Sequence, residues 1–307
     1  MVPLVTARVT LSLMFATAGR WLDRFAPPAR MGALVACLAF VGALGLDLVP
    51  LGVDAHAYWS ADPLDPYNYG ALYTQDAYFY SPAFTQALWP LHALPWPIFA
   101  ASWTLLLTVA LAWLGGRWLG YLLLLPFVFI EMAMGNIHIL VAAAIVIGFR
   151  WPAAWAFILL TKVTPGVGLV WFAARREWRS LAIAIAATIV IACISFLIMP
   201  SVWSDWIGVL RSTEAADHRA ATPFDFVPLP LRVLAAAALM AWAGLTDRRW
   251  VVPIAATLAL PVVYVNGLAI LVAVPFLWTR DRQRRVVLAK ETTGRSAVIA
   301  AAASAPR

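Results

Sequence analysis

Pro97–Met134 reads PIFAASWTLLLTVALAWLGGRWLGYLLLLPFVFIEMAM, and this stretch decides the fold class. It holds two apolar runs, Pro97–Gly115 and Trp118–Met134, on either side of a short turn that contains Arg117. A helix needs about 20 apolar residues to cross the hydrocarbon core of a bilayer. The stretch therefore predicts a helical hairpin in a membrane, and the arginine predicts that its turn is cytoplasmic.

The composition of the whole chain agrees with this class. Hydrophobic residues make up 63%, charged residues 12%, and the mean hydropathy is +0.83. Soluble globular domains are far less apolar. The net charge is +7, but the arginines stand at the ends of apolar runs and are not interleaved with aromatics on a soluble face. We expect an all-α polytopic membrane helix bundle that has membrane lipids, and no nucleic acid, as partners.

Arginine clusters divide the chain into three parts. We expect residues 1–30 to form an interfacial amphipathic segment on the cytoplasmic face, and residues 31–279 to form a single membrane domain. Residues 280–307 then form a basic cytoplasmic tail. For the first segment a signal peptide is the alternative, because Ala16-Thr17-Ala18 resembles a cleavage site.

The first spanning helix is predicted at Met31–Pro50. Arginines precede it, whereas Leu51–Pro95 contains no Lys or Arg, so the loop near 51–96 is expected outside the cytoplasm. Ser81-Pro82 predicts the start of a surface helix within this loop, because serine is a favoured N-cap and proline suits the first helical position. A second extracytoplasmic loop is expected near 200–226.

Two later apolar runs are interrupted. Trp151–Phe172 contains Lys162 near its middle, and Val251–Trp278 contains Asn266 in a turn-like tetrapeptide. Irregular backbone is tolerated at membrane depth where it lines a polar cavity. We therefore predict broken or re-entrant helices at both places. Further helices are predicted at Ile137–Phe149, Leu181–Met199 and Pro228–Leu245.

Asp54 is the candidate general base. It comes four residues after Pro50, and a carboxylate at a membrane boundary can lose water on one side while it meets a substrate on the other. His56, Tyr58 and further aromatics beside it resemble a carbohydrate-binding surface. The alternative is a solvated loop acid or an N-cap.

Two cations are candidate ligands for a phosphate. Lys162 in an apolar run costs about 2.5–3.5 kcal/mol on insertion scales, so it needs an anionic partner. That partner is either a phosphate or an internal carboxylate, most simply Glu131. Arg232, near the start of a helix, is a second candidate ligand, and snorkelling to the interface is its alternative.

A polar cluster of Glu131, Asn136 and His138 lies at the end of the third apolar run. Glu131 and His138 are seven residues apart, which places them on one face if the helix continues through Gly135. Two candidate ligands make a weak metal site, and a hydrogen-bonded pair between helices is the more common arrangement. We therefore expect no metal.

The order of short motifs along the chain resembles glycosyltransferase family 87, the polyprenyl-phosphate-mannose-dependent α-mannosyltransferases of the GT-C superfamily. An aspartate just after the first membrane helix is part of this resemblance. The other motifs are Asp65-Pro66-Tyr67, Tyr80-Ser81-Pro82, Gly135-Asn136-Ile137, Lys162 with Pro165, and Arg175-Arg176-Glu177-Trp178. The resemblance covers roughly Asp54–Arg179, and Asn266 stands where many members carry a histidine.

The resemblance implies a GT-C-type bundle with a large extracytoplasmic first loop. It implies transfer of a sugar from a polyprenyl-phosphate donor to a lipid-linked or glycan acceptor, with inversion of the anomeric configuration. Mannose is the first candidate for this sugar. Asp54 would be the base, and Lys162 and Arg232 would bind the donor phosphate, with no cofactor. The residues expected to contact substrate are His56, Tyr58, Trp59, Tyr67, Tyr80, Asn136, His138 and Asn266.

Two other functions fit parts of the sequence. A transporter or lipid flippase would also suit broken helices with a central lysine, but it should show repeated halves. A non-catalytic subunit that binds lipid is the other alternative, and it predicts that Asp54→Asn has no effect.

Overall fold

The computed structural model describes residues 51–68, 76–215 and 227–286, together with Pro27. Within these residues the chain is helical and contains no β-strand, which confirms the all-α class. The predicted first span, Met31–Pro50, and the predictions for segment 1–30 lie outside the described residues, as does the tail from residue 287 onward.

The α-helices are numbered here in chain order. They are α1 (Val53–Ser60), α2 (Pro82–His92), α3 (Trp96–Gly115), α4 (Leu119–Leu122), α5 (Pro126–Met134), α6 (His138–Gly148), α7 (Trp155–Thr161), α8 (Leu169–Ala174), α9 (Trp178–Ile198), α10 (Pro200–Ala215), α11 (Leu229–Leu245), α12 (Val252–Leu258) and α13 (273–286). Short 3-10 turns lie at Gly116–Trp118, Pro152–Ala154, Thr164–Gly168, Arg249–Val251 and Val265–Val272.

Two helical stretches in the described part are long and apolar enough to cross a membrane. They are Trp96–Leu122, with 27 residues, and Trp178–Ile198, with 21 residues. Helices α5 and α6 qualify together as a third, although their axes meet at 105°. Large apolar side chains such as Ile189 and Leu197 are exposed along α9, as expected for a surface that faces lipid.

The prediction of one continuous helix at Trp118–Met134 is wrong. Helix α4 ends at Leu122, and α5 begins only at Pro126. Leu125 has extended backbone angles (φ −81°, ψ 124°), because a residue before proline is pushed out of the helical region. The run Trp118–Met134 is therefore divided between two helices.

The predicted loop near 200–226 is helical in its first part. Helix α10 begins at Pro200 and runs to Ala215, while residues 216–226 lie outside the described part. Trp203 and Trp206 pack together on this helix with 5.4 Å between ring centroids. Their indole N–H groups donate to Ser195 Oγ and to the carbonyl of Phe79, so both side chains hold α10 against the bundle.

The break predicted at Lys162 is confirmed, and the last apolar run is broken as well, but before the tetrapeptide Tyr264–Gly267 where the break was predicted. Helix α7 ends at Thr161, Lys162 has extended angles (φ −134°, ψ 95°), and a 3-10 turn begins at Thr164. In the last apolar run, α12 ends at Leu258 and helical structure resumes at Val265. Helix α13 continues through Arg280, where the tail was expected to begin.

Helix α2 confirms the helix predicted after Ser81, but with a different role for the serine. Ser81 occupies the N-cap position without a capping hydrogen bond. Its hydroxyl is buried and donates instead to the carbonyl of Leu160 in α7. Helix α2 is thereby joined to the helix that ends beside Lys162.

Candidate active site

Asp54 lies in the first turn of α1, and a glycine fixes where this helix begins. Gly52 has a left-handed conformation (φ 64°), and its N–H donates to the carbonyl of Ala133 at 2.8 Å. The start of α1 is therefore held against the end of α5. This places Asp54 next to the bend between α5 and α6.

The bend itself depends on Gly135. This residue has φ 70°, and a Cβ on it would lie 2.7 Å from Cβ of Ala55 in α1. Trp103 in α3 donates from Nε1 to the Gly135 carbonyl at 2.7 Å. A residue without a side chain is required here, both for the backbone conformation and for the close approach of α1.

Asn136 follows the bend and contacts Asp54 directly. Its Nδ2 donates to Oδ2 of Asp54 at 2.7 Å, and its Oδ1 accepts from the N–H of Ile137 at 2.7 Å. Both functional groups of the amide are used, so its orientation is fixed. Oδ1 of Asp54 makes no hydrogen bond to the part of the chain that the structure describes, which leaves one carboxylate oxygen for a ligand.

Burial raises the pKa of Asp54 above its ordinary value of 3.8, and this is the largest effect on the group. The hydrogen bond from Asn136 and the positive charge of Lys162 oppose the rise. A carboxylate in this balance is more basic than one in water and still has two partners that favour its charged form.

Lys162 lies at the helix break with its Nζ 5.3 Å from the ring centroid of Tyr80. The hydroxyls of Tyr80 and Tyr58 are 2.9 Å apart. Among the described residues Lys162 forms no salt bridge, because Glu131 pairs with His138 instead. The internal ion pair that was the alternative for Lys162 is therefore absent from the described residues.

Glu131 and His138 form the expected hydrogen-bonded pair, but they do not lie on one face of a continuous helix. The helix does not continue through Gly135. The 105° bend brings them together instead, with Glu131 Oε2 2.9 Å from Nδ1 of His138. Both residues are buried.

Three predicted contact residues point elsewhere. His56 faces Asp76, with 2.6 Å between Nδ1 and Oδ1, and packs edge-on against Trp96. Trp59 donates to the carbonyl of Leu94, and the hydroxyl of Tyr67 donates to the carbonyl of Tyr80. These residues hold the loop together, and the contacts seen here do not bring them to Asp54.

Tyr58 lies on the Asp54 side of α1, but its ring is buried. The residue is 1% exposed and is packed by Tyr80, Phe84 and Trp103. Stacking of Tyr58 on a sugar is not supported, because no face of its ring is accessible. Tyr80 is only partly buried and is the aromatic that contacts Lys162.

Arg232 binds three backbone carbonyls. Its guanidinium donates to Val227 at 3.0 Å, to Leu260 at 2.8 Å and to Pro261 at 2.7 Å. It therefore stabilises the turn that leads from α12 toward Asn266. Its role in phosphate binding stays a prediction.

Asn266 is buried at the start of the Val265–Val272 turn, which packs on α5 and α6. Its neighbour Gly267 lies beside His138, since a Cβ there would be 3.8 Å from Nε2. The centre of the site is therefore formed by Asp54, Asn136, Lys162, Tyr80, Glu131 and His138. Asn266 lies at its edge.

Sequence reasoning missed two supports of this site. Trp103 looks like any apolar residue of a spanning helix, and Asp76 looks like a solvated loop acid. Nothing in the sequence indicates which tryptophan carries a buried hydrogen bond. In the described ranges no group of three His, Cys, Asp or Glu is placed to hold a metal ion.

The model of glycosyltransferase family 87 matches residues 78–302, which is most of the chain. The protein belongs to glycosyltransferase family 87. It is therefore a membrane glycosyltransferase, and it uses a sugar donor and an acceptor. No curated protein and no solved structure matches it. Because the family 87 match begins at residue 78, the case for Asp54 depends on its geometry.

Proposed function

We propose that this family 87 member transfers a sugar, with mannose the first candidate, from a polyprenyl phosphate to a hydroxyl of a lipid-linked or glycan acceptor. The reaction takes place on the extracytoplasmic side and inverts the anomeric configuration. The observation that carries the proposal is the hydrogen bond from Asn136 to Asp54 in a cluster that also contains Lys162.

Asp54 supplies the base. One carboxylate oxygen is held by Asn136, and the other is available to accept the proton of an acceptor hydroxyl. As that proton leaves, the hydroxyl oxygen attacks the anomeric carbon from the face opposite the phosphate, and the configuration inverts. Burial makes the carboxylate a stronger base, which favours removal of this proton.

Lys162 supplies the charge for the leaving group. When the bond from the anomeric carbon to oxygen breaks, the electron pair stays on the lipid phosphate, which is a stable anion near neutral pH. A fixed cation stabilises the charge that develops there, so a general acid is not required. The scheme uses no metal and no cofactor.

The side of the membrane is inferred from charge. The loop that contains Asp54 has no Lys or Arg from Leu51 to Pro95, whereas arginines follow α6, α8 and α11. Loops with positive charge stay in the cytoplasm, so the Asp54 end of the bundle is expected outside.

The test uses purified full-length protein, radiolabelled polyprenyl-phosphate-mannose and a panel of glycolipid acceptors. We expect transfer by the wild type, and a loss of about 10²–10⁴-fold in kcat for Asp54→Asn, the range typical of a general base. Asp62→Asn is the matched control. Asp62 is an exposed acid of the same loop that accepts from the N–H of Leu64, as an asparagine there also can.

The outcomes separate the alternatives. Unchanged transfer by Asp54→Asn removes Asp54 as the base. No transfer from any polyprenyl-phosphate sugar contradicts the choice of donor, and the same preparation is then tested for movement of labelled lipid across vesicles. A product with retained anomeric configuration contradicts the single displacement.

A further inference from the structure

Glu131 is a buried carboxylate at the N-terminus of α6. It is 0% exposed, and its Oε1 accepts from the backbone N–H of His138 at 2.6 Å and of Ile139 at 3.3 Å. These two N–H groups have no partner within the helix, and the helix dipole favours an anion at this position. The carboxylate of Glu131 therefore stabilises the start of α6 just after the bend.

The second oxygen of Glu131 determines which nitrogen of His138 carries a proton. Oε2 lies 2.9 Å from Nδ1. A carboxylate can only accept, so Nδ1 is the donor of this hydrogen bond. A neutral imidazole with its proton on Nδ1 has a lone pair on Nε2. Nε2 is thereby an acceptor.

Nε2 of His138 lies close to Gly267, and the side chain of Leu260 packs against the same glycine. Nε2 makes no hydrogen bond to the described part of the chain, and a Cβ on Gly267 would lie 3.8 Å from it. Asn136, two residues before His138, donates to Asp54 at 2.7 Å, and the charges of Asp54 and Lys162 are close enough to affect the ring. The acceptor on Nε2 therefore belongs to the same site as the proposed base and the proposed phosphate ligand.

A sugar is the group that this acceptor would meet. In the proposed reaction the transferred sugar lies between the phosphate bound by Lys162 and the hydroxyl activated by Asp54. Its ring hydroxyls are donors, and the buried surroundings of His138 strengthen a hydrogen bond to one of them.

We propose that Nε2 of His138 accepts a hydrogen bond from one hydroxyl of the transferred sugar, and that Glu131 is the positioning residue that fixes the required tautomer. The inference rests on the proposed function for the identity of the donor. It makes the pair a determinant of sugar specificity, because a donor that lacks this hydroxyl leaves Nε2 without a partner.

Two substitutions of similar shape separate the roles of the pair. His138→Asn keeps an amide N–H where Nδ1 donates to Glu131 and removes Nε2. Glu131→Gln keeps an oxygen for the backbone N–H groups but can place an amide N–H toward Nδ1. That amide donates, so Nδ1 becomes the acceptor and the proton moves to Nε2.

The tautomer is measured directly by nitrogen NMR of the full chain labelled at histidine. The chain has four His, and His138→Asn identifies the resonances of His138. We expect a neutral ring with its proton on Nδ1 in the wild type, and a proton on Nε2 in Glu131→Gln. A wild-type ring that is protonated on Nε2, or on both nitrogens, overturns the inference.

The contact with sugar is measured with donors that each lack one ring hydroxyl. One of them should lose about 2- to 13-fold in kcat/KM with the wild type, the value of one neutral hydrogen bond, and lose nothing further with His138→Asn. If each of these donors loses the same factor in kcat/KM with the wild type and with His138→Asn, the inference fails while the proposed function stands.

A third result separates a failure of the inference about His138 from a failure of the proposed function. If the wild type transfers sugar from no polyprenyl-phosphate donor, the proposed function fails. The inference is then decided by titrating polyprenyl-phosphate-mannose while the Nε2 resonance is followed. Movement of that resonance in the wild type supports a sugar contact without turnover, and an unmoved resonance overturns it.

Discussion

Asn136 donates a hydrogen bond of 2.7 Å to Asp54, and the two residues are 82 positions apart in the chain. The contact joins the first turn of α1 to the bend between α5 and α6. It is possible because Gly135 lets α1 approach the bend closely. The geometry of the candidate base therefore depends on residues that make no contact with a substrate.

Asn136→Ala should move the acidic limb of the pH profile of kcat/KM to higher pH. The hydrogen bond from Asn136 lowers the pKa of Asp54, against the rise caused by burial. Without this bond the carboxylate loses stabilisation, its pKa rises, and the base becomes protonated at a pH where the wild type is still active. The measurement is kcat/KM across the acidic range. Asn68→Ala, at an exposed asparagine of the first loop, should leave the limb in place.

Lys162→Met should lower kcat by about 10²–10³-fold, the range measured when one group that stabilises a developing anion is removed. Lys162→Arg keeps the charge and should retain part of the activity. Arg150→Met is the control, because Arg150 is exposed just after the end of α6. Equal activity of Lys162→Met and the wild type would contradict a role for this cation in the leaving step.

Lys162→Met should also move the acidic limb of kcat/KM in the same direction as Asn136→Ala. The positive charge of Lys162 lowers the pKa of Asp54, so its removal lets that pKa rise. A limb that stays in place in this variant would show that the charge does not act on the base in the working enzyme.

Gly135→Ala should destabilise the protein. An alanine at φ 70° costs about 1–2 kcal/mol of backbone strain, and the new Cβ would lie 2.7 Å from Cβ of Ala55. Activity should fall as well, because Asn136 is the next residue. The check is thermal unfolding in detergent together with transfer activity.

Gly208→Ala is the matched control for that variant. Gly208 lies within α10, and a Cβ there meets nothing within 4 Å. Alanine is favoured over glycine in a helix by about 0.8–1.0 kcal/mol, so the unfolding temperature should stay unchanged or rise. A similar fall in both variants would mean that the close approach at Gly135 is not the cause.

Arg232→Met should lower thermal stability more than it changes the KM for the donor. The substitution removes three hydrogen bonds to the carbonyls of Val227, Leu260 and Pro261, and leaves buried acceptors without these partners. Arg211→Met, at an exposed arginine of α10, is the control. Unchanged stability with a raised donor KM would assign Arg232 to phosphate binding.

The positions of the helices were largely predictable, and the errors have local causes. Apolar length and arginine placement predicted α3, α6, α9 and α11, and the interruption at Lys162 predicted the break after α7. The break before Pro126 was missed because the apolar run continues on both sides of it, with leucines before the proline and Phe127, Val128 and Phe129 after it. The helix after Pro200 was predicted to be a loop because Asp205, Arg211 and Glu214 interrupt its apolar residues.

The sequence indicated which residues belong to the site better than it indicated which partners they contact. Asp54, Asn136 and Lys162 stand out because each is polar beside apolar segments. In the structure Asn136 contacts Asp54, and Lys162 is close enough for its charge to act on that carboxylate. His56, Trp59 and Tyr67 stand in the same motif-rich loop, yet they bind Asp76 and backbone carbonyls. Neighbours in a short helix point to different sides, so closeness in sequence does not imply a shared site.

The sequence by itself determined the class of this protein: a membrane bundle of helices with an acidic, aromatic first loop and a lysine at a helix break. Hydrophobic length and charge are summed along the chain, so they can be read without the fold. Only the tertiary structure decided that Asn136 orients Asp54, that Glu131 and His138 meet across a bend, and that Arg232 holds a turn. Each of these contacts joins distant segments, and their partners are set by close packing that no local pattern records.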